Sequence, residues 1–317
     1  MNIFITGGRG FIAGRLAEYL CLQGHSLTIG TRSLDNDLSL NKKIKVIPIN
    51  WNSYKNLKNA LEGIDLIIHA AGPNATDSVN LLTETLKFSK EGTSNLLKAA
   101  SYNKITRIIY LSTAHVYASP LFGKINEDTE LSNEHPYATS HIAVEDQIIS
   151  AKKKYKIDSL ILRISNSFGQ PIVKKADCWY ILINDICKQA VLTKKIIIKS
   201  RINTTRNFIA LSTVLNAIQF FIKNFDTNRD ESNIINLGEK FSLSIEEVIN
   251  IVKERINNIM GFLPHVIIEN LNNETESKLV KEYLDYQTTK LQKKGFDKYY
   301  SIKDEIDDLI NYCNENF

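Results

Sequence analysis

Long apolar runs are missing from this 317-residue chain, and so are Pro-, Ser- or Gly-rich tracts. The first absence speaks against a membrane-spanning helix, which needs about 20 consecutive apolar residues. Arg9 and Arg15 interrupt the N-terminal stretch, which reads as neither signal peptide nor anchor. The second absence, with 43% hydrophobic and 23% charged residues, sets the disordered and fibrous classes aside. Cysteine is scarce. Cys21, Cys178, Cys187 and Cys313 show neither metal-ligand spacing nor a disulfide rhythm, which points to a reducing, cytoplasmic compartment. The six histidines form no His-Glu-x-x-His or His/Cys cluster, so no metal is expected. A marked excess of one charge sign is missing too: 39 Lys and Arg against 35 Asp and Glu leave +4, scattered along the chain. No basic run is interleaved with aromatics, and Lys152-Lys153-Lys154 reads as the exposed end of a helix, so nucleic acid is not an expected partner.

What is present is an alternation of short β-branched runs with amphipathic stretches. Strands are expected at Met1–Thr6, Ser26–Thr31, Lys45–Ile49, Asp65–Ala70, Ile105–Ser112 and Ser159–Ile164. Helices are expected at Phe11–Gln23, Tyr54–Glu62, Leu82–Ala100 and Pro136–Lys154. Such βαβα order predicts an α/β fold whose parallel sheet is covered on both faces. Beyond Asn166 the order is less regular, with helices at Trp179–Val191, Ser212–Lys223, Ile245–Asn257 and Ser301–Tyr312, and strands at Lys195–Ser200, Ile234–Leu237 and His265–Glu269.

Directly after the first strand, Gly8, Gly10 and Ala13 satisfy G-x-G-x-x-G/A, and Gly7, Gly10 and Ala13 satisfy G-x-x-G-x-x-G. Glycine permits the sharp turn and lets a pyrophosphate approach the backbone, and the following helix offers its free N–H groups to the anion. The strand–loop–helix context predicts a dinucleotide site made by Gly7, Gly8, Arg9, Gly10, Phe11 and Ile12. An NAD enzyme usually carries an acid at the end of the second strand, to hold the ribose 2′-hydroxyl. Here the chain reads Gly30-Thr31-Arg32-Ser33, with no acid before Asp35. Arg32 and Arg9 suit a 2′-phosphate, so NADP is expected, with NAD as the alternative.

Three further segments carry a resemblance: Ile67-Ile68-His69-Ala70-Ala71-Gly72, Tyr110-Leu111-Ser112-Thr113-Ala114-His115-Val116-Tyr117, and His135-Pro136-Tyr137-Ala138-Thr139-Ser140-His141. With the glycine loop they resemble the extended short-chain dehydrogenase/reductases, the NAD-dependent epimerase/dehydratase group. Leu162–Gly169, Thr205–Ile209, Ile235–Gly238 and Asp285 with Lys290–Phe296 continue the likeness in the same order. The resemblance implies a Rossmann domain (1–165 plus about 203–238) and a smaller α/β domain (about 166–202 plus 239–317) that holds a nucleoside-diphosphate sugar. It implies Tyr137 as acid/base and Thr113 as the hydroxyl bonding the same sugar oxygen, which agrees with what hydride transfer to a carbonyl requires. It further implies cofactor contacts from Thr31, Arg32, Ser33, Asn50, Trp51, Ala70, Ala71, Gly72, Ser112, Tyr137 and His141. It implies substrate contacts from Pro73, Thr113, His115, Asn166 and Arg206, with Trp179 a further candidate for which a core role is an equal alternative, and a homodimer through the helices at Leu82–Ala100 and Pro136–Lys154.

One departure matters. The family pattern is Y-x-x-x-K, and His141 stands where the Lys belongs. The i, i+4 spacing keeps it on the face of Tyr137, but an ordinary imidazole is only about a quarter protonated at pH 7. Three functions follow: an NADPH-dependent reductase of a keto-sugar nucleotide, with or without epimerisation; an epimerase or dehydratase that keeps bound NAD; or, on His141 alone, a non-catalytic cofactor sensor.

Overall fold

The computed structural model describes residues 1–32, 40–225, 233–269 and 283–317. The chain divides into two compact units. One comprises Met1–Ser119, Glu130–Ile164 and Phe221–Ile235; the other comprises Pro120–Thr129, Ser165–Phe220 and Asn236–Phe317.

The first unit is built on a parallel sheet of seven strands. They are β1 (Asn2–Thr6), β2 (Ser26–Thr31), β3 (Lys45–Pro48), β4 (Leu66–His69), β5 (Arg107–Thr113), β6 (Asp158–Ile164) and β7 (Ile234–Leu237). Their spatial order is β7-β6-β5-β4-β1-β2-β3. Phe4, Ile67, Ile108 and Ile161 share one core with residues of α2 (Tyr54–Ala60), α5 (Thr93–Tyr102) and α6 (Pro136–Tyr155). Ile3 and Ile5, which flank Phe4 and so face the other way, are equally buried. Burial on both faces is why these strands read as continuous apolar runs rather than as alternation. Helix α1 (Phe11–Leu22) packs its Leu16, Ala17 and Leu20 inward beside β1 and β2.

The chain leaves β1 toward β2 and β3, then crosses to β4 on the other side of β1. Ligands of open α/β sheets bind at such a switch point, outside the carboxyl ends of the strands. Here those ends are tied together. Thr6 Oγ1 accepts hydrogen bonds from the amides of Ala70 and Ala71, each at 3.0 Å, and lies 2.8 Å from His69 Nδ1.

The helix expected over Leu82–Ala100 takes a broken path. A separate helix, α3 (Ala75–Asn80), precedes it, and the expected stretch comprises α4 (Leu82–Lys87), a π-helical turn at Phe88–Gly92, and then α5. Ser89 Oγ bonds back to the Thr85 carbonyl within that stretch. The wide turn sets Phe88 edge-on to Trp51 at 4.9 Å. A side chain at Gly92 would press on the Phe88 ring at 3.3 Å and touch the Trp51 Cβ at 3.4 Å.

In the second unit, α7 (Leu182–Thr193), α9 (Ile245–Met260) and α11 (Ile302–Asn316) enclose one core with Phe168, Phe208 and Ile196. Helices α8 (Leu211–Lys223) and α10 (Thr289–Lys293) complete the helical set of the described residues. Short ladders pair Asn166–Phe168 with Phe208–Ala210 and Lys195–Ile198 with His265–Ile268. Helix α9 is opened by a capping box, Ser244 with Glu247. Trp179 and Tyr180 lie in the turn before α7, not within a helix as the pattern suggested.

Candidate active site

At the switch point the glycine loop turns tightly. Gly7 sits at φ 70°, where a side chain would be strained and its Cβ would lie 2.9 Å from the Ala71 backbone. Gly8 fits because a Cβ there would meet Ile29 at 2.6 Å. The Gly10 amide closes the turn onto the Gly7 carbonyl at 2.7 Å, and α1 starts at Phe11 and Ile12 with no side-chain cap and no acid in its first turn. The opening amides of a 12-residue helix are thus aimed out of a loop that only glycine can form. That cradle fits a pyrophosphate.

A cleft of about 810 Å³ opens from the loop. Of the expected contacts, Gly7, Arg9, Gly10, Thr31, Arg32, Trp51, Ala70, Ala71, Gly72 and Pro73 line it. So do Asp77, Glu84, Lys87 and Phe88 of the broken helical path, which the sequence reading did not single out. Asn50 is absent from the lining and Asn52 is present, because the Asn50 side chain turns back to accept the Asn52 amide at 3.0 Å. Ser33 and Asp35 lie outside the described residues. Arg9 and Arg32 therefore share one cleft with the phosphate cradle, and its donor set suits a dinucleotide.

The expected catalytic residues come from β5 and α6. Helix α6 begins with Pro136 at its first turn and ends with Lys152, Lys153 and Lys154, which complement the helix dipole. Tyr137, His141 and Glu145 recur every four residues and so share one face. Tyr137 is hydrogen-bonded to Thr113, which lowers its pKa, but burial of its phenol dominates and raises it above the ordinary value. Thr113 also accepts the His115 amide at 3.2 Å, at the turn that follows β5.

His141 differs from the expectation. Its ring packs edge-on to Tyr137 at 4.7 Å, and its Nδ1 lies 2.7 Å from Tyr110 Oη. Burial, with nearby His115 adding to it, lowers its pKa to about 4. The imidazole is therefore neutral at pH 7, rather than about a quarter charged. His69 is held neutral in the same way, at about 3.

Ser112, expected at the cofactor, is committed elsewhere: its hydroxyl donates to Glu145 Oε1 at 2.5 Å. The same carboxylate takes Arg163 Nε at 3.1 Å and Nη2 at 2.7 Å, and Arg163 Nη1 reaches Tyr117 Oη at 3.0 Å. This buried network ties α6 to β5 and β6 directly behind Thr113 and Tyr137. Motif reading missed Tyr110 and Glu145. The signal for Glu145 was its i, i+4 place after His141, which points a carboxylate into the sheet.

The remaining expected substrate residues belong to the second unit. Asn166 donates through its side chain to the Asn207 carbonyl at 2.9 Å, and Arg206 lies on the short strand Thr205–Arg206. Trp179 packs against the chain's last helix, 5.1 Å from Phe317 and 6.2 Å from Tyr312, with Lys188 over its ring. That is a packing role for most of its surface.

Comparison with known proteins bears on the family and the fold. The profile of the NAD dependent epimerase/dehydratase family matches residues 3–238. A dTDP-D-glucose 4,6-dehydratase of Dictyostelium discoideum is 27% identical over 279 residues, which are 79% of this chain and 62% of that protein. A Bos taurus protein of the same name is 26% identical over 340 residues, covering 100% of this chain and 89% of its own. Among solved structures, the UDP-glucuronic acid 4-epimerase from Bacillus cereus, in complex with UDP-glucuronic acid and NAD, superposes with a TM-score of 0.80 at 19% identity, over 100% of both chains.

Proposed function

Because this chain belongs to the NAD dependent epimerase/dehydratase family, we propose that it transfers a hydride at a carbon of a nucleoside-diphosphate sugar, as an NADPH-dependent reductase of a keto-sugar nucleotide with or without epimerisation. Its cofactor would be held by the cradle Gly7–Gly10, the first turn of α1, and Arg9 and Arg32 on the 2′-phosphate. When bound, the nicotinamide supplies or takes up the hydride. The chain's own part is the proton. Tyr137 gives it to the oxygen that becomes a hydroxyl, and Thr113 bonds the same oxygen.

The observation that carries the direction is the state of this pair. Tyr137 is a half-buried, protonated phenol beside a neutral imidazole, with no cation at the position of the family lysine. Such a phenol holds its proton at neutral pH, the form that carbonyl reduction consumes, and leaves little of the phenolate that alcohol oxidation would need. Water elimination would need a further acid and base, yet Glu145, the carboxylate on this helix face, is consumed by Arg163. Pro73, His115, Asn166 and Arg206 stay as proposed substrate contacts, whereas Trp179 is taken up in packing on Tyr312 and Phe317.

A second reading, an epimerase or dehydratase with retained NAD, is favoured by the relatives and by the NAD in the Bacillus cereus complex. The two separate in one assay on a panel of nucleotide sugars. Net consumption of added NADPH supports the first, whereas sugar conversion without consumption overturns it. Tyr137→Phe should cut turnover by about a hundredfold to ten-thousandfold while leaving cofactor affinity nearly unchanged. Retained activity would make Tyr137 a packing residue.

The four cysteines are free, as fits a reducing cytoplasm, and no helix among the described residues is long and apolar enough to cross a membrane. A homodimer would use Val79, Leu82, Leu86 and Ile149, which expose 41 to 52% of their surface on α3, α4 and α6, helices that pack together.

A further inference from the structure

His141 needs something a lysine does not: a choice of tautomer. A neutral imidazole presents one N–H and one bare nitrogen, and which end donates is set by the partner of the other. We propose that Tyr110 is a positioning residue that accomplishes this choice, fixing His141 with its proton on Nε2 so that it donates to a ribose hydroxyl of the bound cofactor. The inference rests on the dinucleotide reading above and deepens it.

The geometry supports each step. Tyr110 Oη and His141 Nδ1 are 2.7 Å apart in the interior, with ring centroids at 5.8 Å. Tyr110 is almost fully buried and is pushed well above the ordinary tyrosine range by that burial, with Glu145 and Tyr137 adding to it, so its hydroxyl always carries a hydrogen. Among the described residues, His141 Nδ1 is the acceptor found for that hydrogen. The reverse arrangement, with Nδ1 donating, would leave the buried phenol hydrogen with no acceptor, which is the costlier state. Nδ1 must therefore accept, and the imidazole proton must sit on Nε2.

Nε2 lies toward Gly72, a residue of the cleft wall. A Cβ built on Gly72 would lie 3.9 Å from both Nε2 and Cε1, in ordinary contact, and Gly72 lines the cleft. The absence of a side chain there leaves that space open. Tyr110 is itself held in a row of rings, with His69 at 5.4 Å on one side and His141 on the other. The row continues through His141 to Tyr137. Histidine in the lysine position thus keeps the hydrogen-bond donor and gives up the charge, and the phenol on β5 makes the donor dependable.

The tautomer can be read without substrate or cofactor, from the ¹⁵N chemical shifts and two-bond couplings of the free protein, with the His141 signal assigned by its loss in His141→Gln. The expected result is a single Nε2–H form in wild type and a mixture in Tyr110→Phe, whose ring still packs. An Nδ1–H form in wild type overturns the proposal. The second arm is a cycle of NADPH titrations. Tyr110→Phe should weaken binding by about two- to tenfold in the wild-type background and leave it unchanged in a His141→Lys background. An equal loss in both backgrounds would make Tyr110 merely structural. Failure of wild type to bind NADPH would sink the cofactor reading, while the tautomer spectrum would still decide the role of Tyr110.

Discussion

Replacing Glu145 by glutamine should cost more stability than any other single-atom change near the site. Both partners of the Glu145–Arg163 pair are almost wholly buried, with side chains 2% and 4% exposed. The carboxylate accepts two bonds from the guanidinium and one from Ser112. Glutamine keeps the volume and one acceptor oxygen, but it turns an N–H group toward the other donors and removes the counter-charge. Arg163 is then left with Tyr117, through one hydrogen bond and a ring centroid at 4.8 Å. Removing one partner of a buried pair costs about 3–5 kcal/mol. The retained Tyr117 contacts place this case near 3, which is still a large share of the roughly 5–15 kcal/mol that holds a folded protein together.

The expected readout is a thermal midpoint lowered by roughly 4–5 °C in circular dichroism, at about 1.5 °C per kcal/mol for a chain of this size. Ser112→Ala removes only one bond to the carboxylate, so it should cost less, on the order of 2 kcal/mol. Because Ser112 precedes Thr113 on β5, both variants should also reduce turnover at temperatures where they remain folded. A midpoint shift under about 2 °C for Glu145→Gln, or a larger loss for Ser112→Ala, would refute the claim that the ion pair anchors α6 to the sheet.

Two other expectations are open to direct measurement. NADPH should bind at least about tenfold tighter than NADH, a difference near 1.4 kcal/mol, and Arg32→Ala should remove most of that margin; equal affinities in wild type would contradict it. Acid should also weaken the fold through the buried histidines. His69 and His141 hold folded pKa values of about 3 and about 4, below the 6.5 or so of an unfolded chain, so their contribution is complete above pH 6.5 and is lost as pH falls toward 4. Between pH 7 and 5 each accounts for about 2 kcal/mol. Glu239, pushed up to about 7 by burial, runs in the opposite direction. The test is therefore a difference: urea unfolding of His141→Gln should show about 2 kcal/mol less pH dependence over that range than wild type, and identical dependence would refute it.

Much of the first unit was legible because its elements repeat a simple rule. Buried parallel strands announce themselves as apolar runs such as Ile67-Ile68 and Ile108–Leu111, and Ser26–Thr31 and Ile234–Leu237 were located to the residue. The glycine loop was readable because two of its positions exclude a side chain, Gly7 by its positive φ and Gly8 by the press of Ile29. Two- and three-residue ladders such as Thr205–Arg206 and Gly123–Ile125 carry too few positions for any period to show. The break between α4 and α5 was also invisible, since helical spacing runs through Leu82–Ala100 and the cause is a tertiary one, the packing of Phe88 and Gly92 on Trp51.

His141 shows where such reading stops. The sequence supplies its identity and, through the i, i+4 spacing, its position beside Tyr137; neither depends on anything distant. Its charge does. An imidazole 8% exposed, with a phenol on Nδ1 and His115 nearby, is uncharged at neutral pH, and the phenol comes from Tyr110, 31 residues earlier on another element. Tyr110 in turn reads as an ordinary strand aromatic, because periodicity reports which face is buried and says nothing about which polar atoms meet inside. Placement of reacting groups is thus a local property and survives in the motif. Protonation and tautomer are properties of the packed interior, and here they reverse the electrical role of the residue that replaces the family lysine while leaving its hydrogen-bonding role in place.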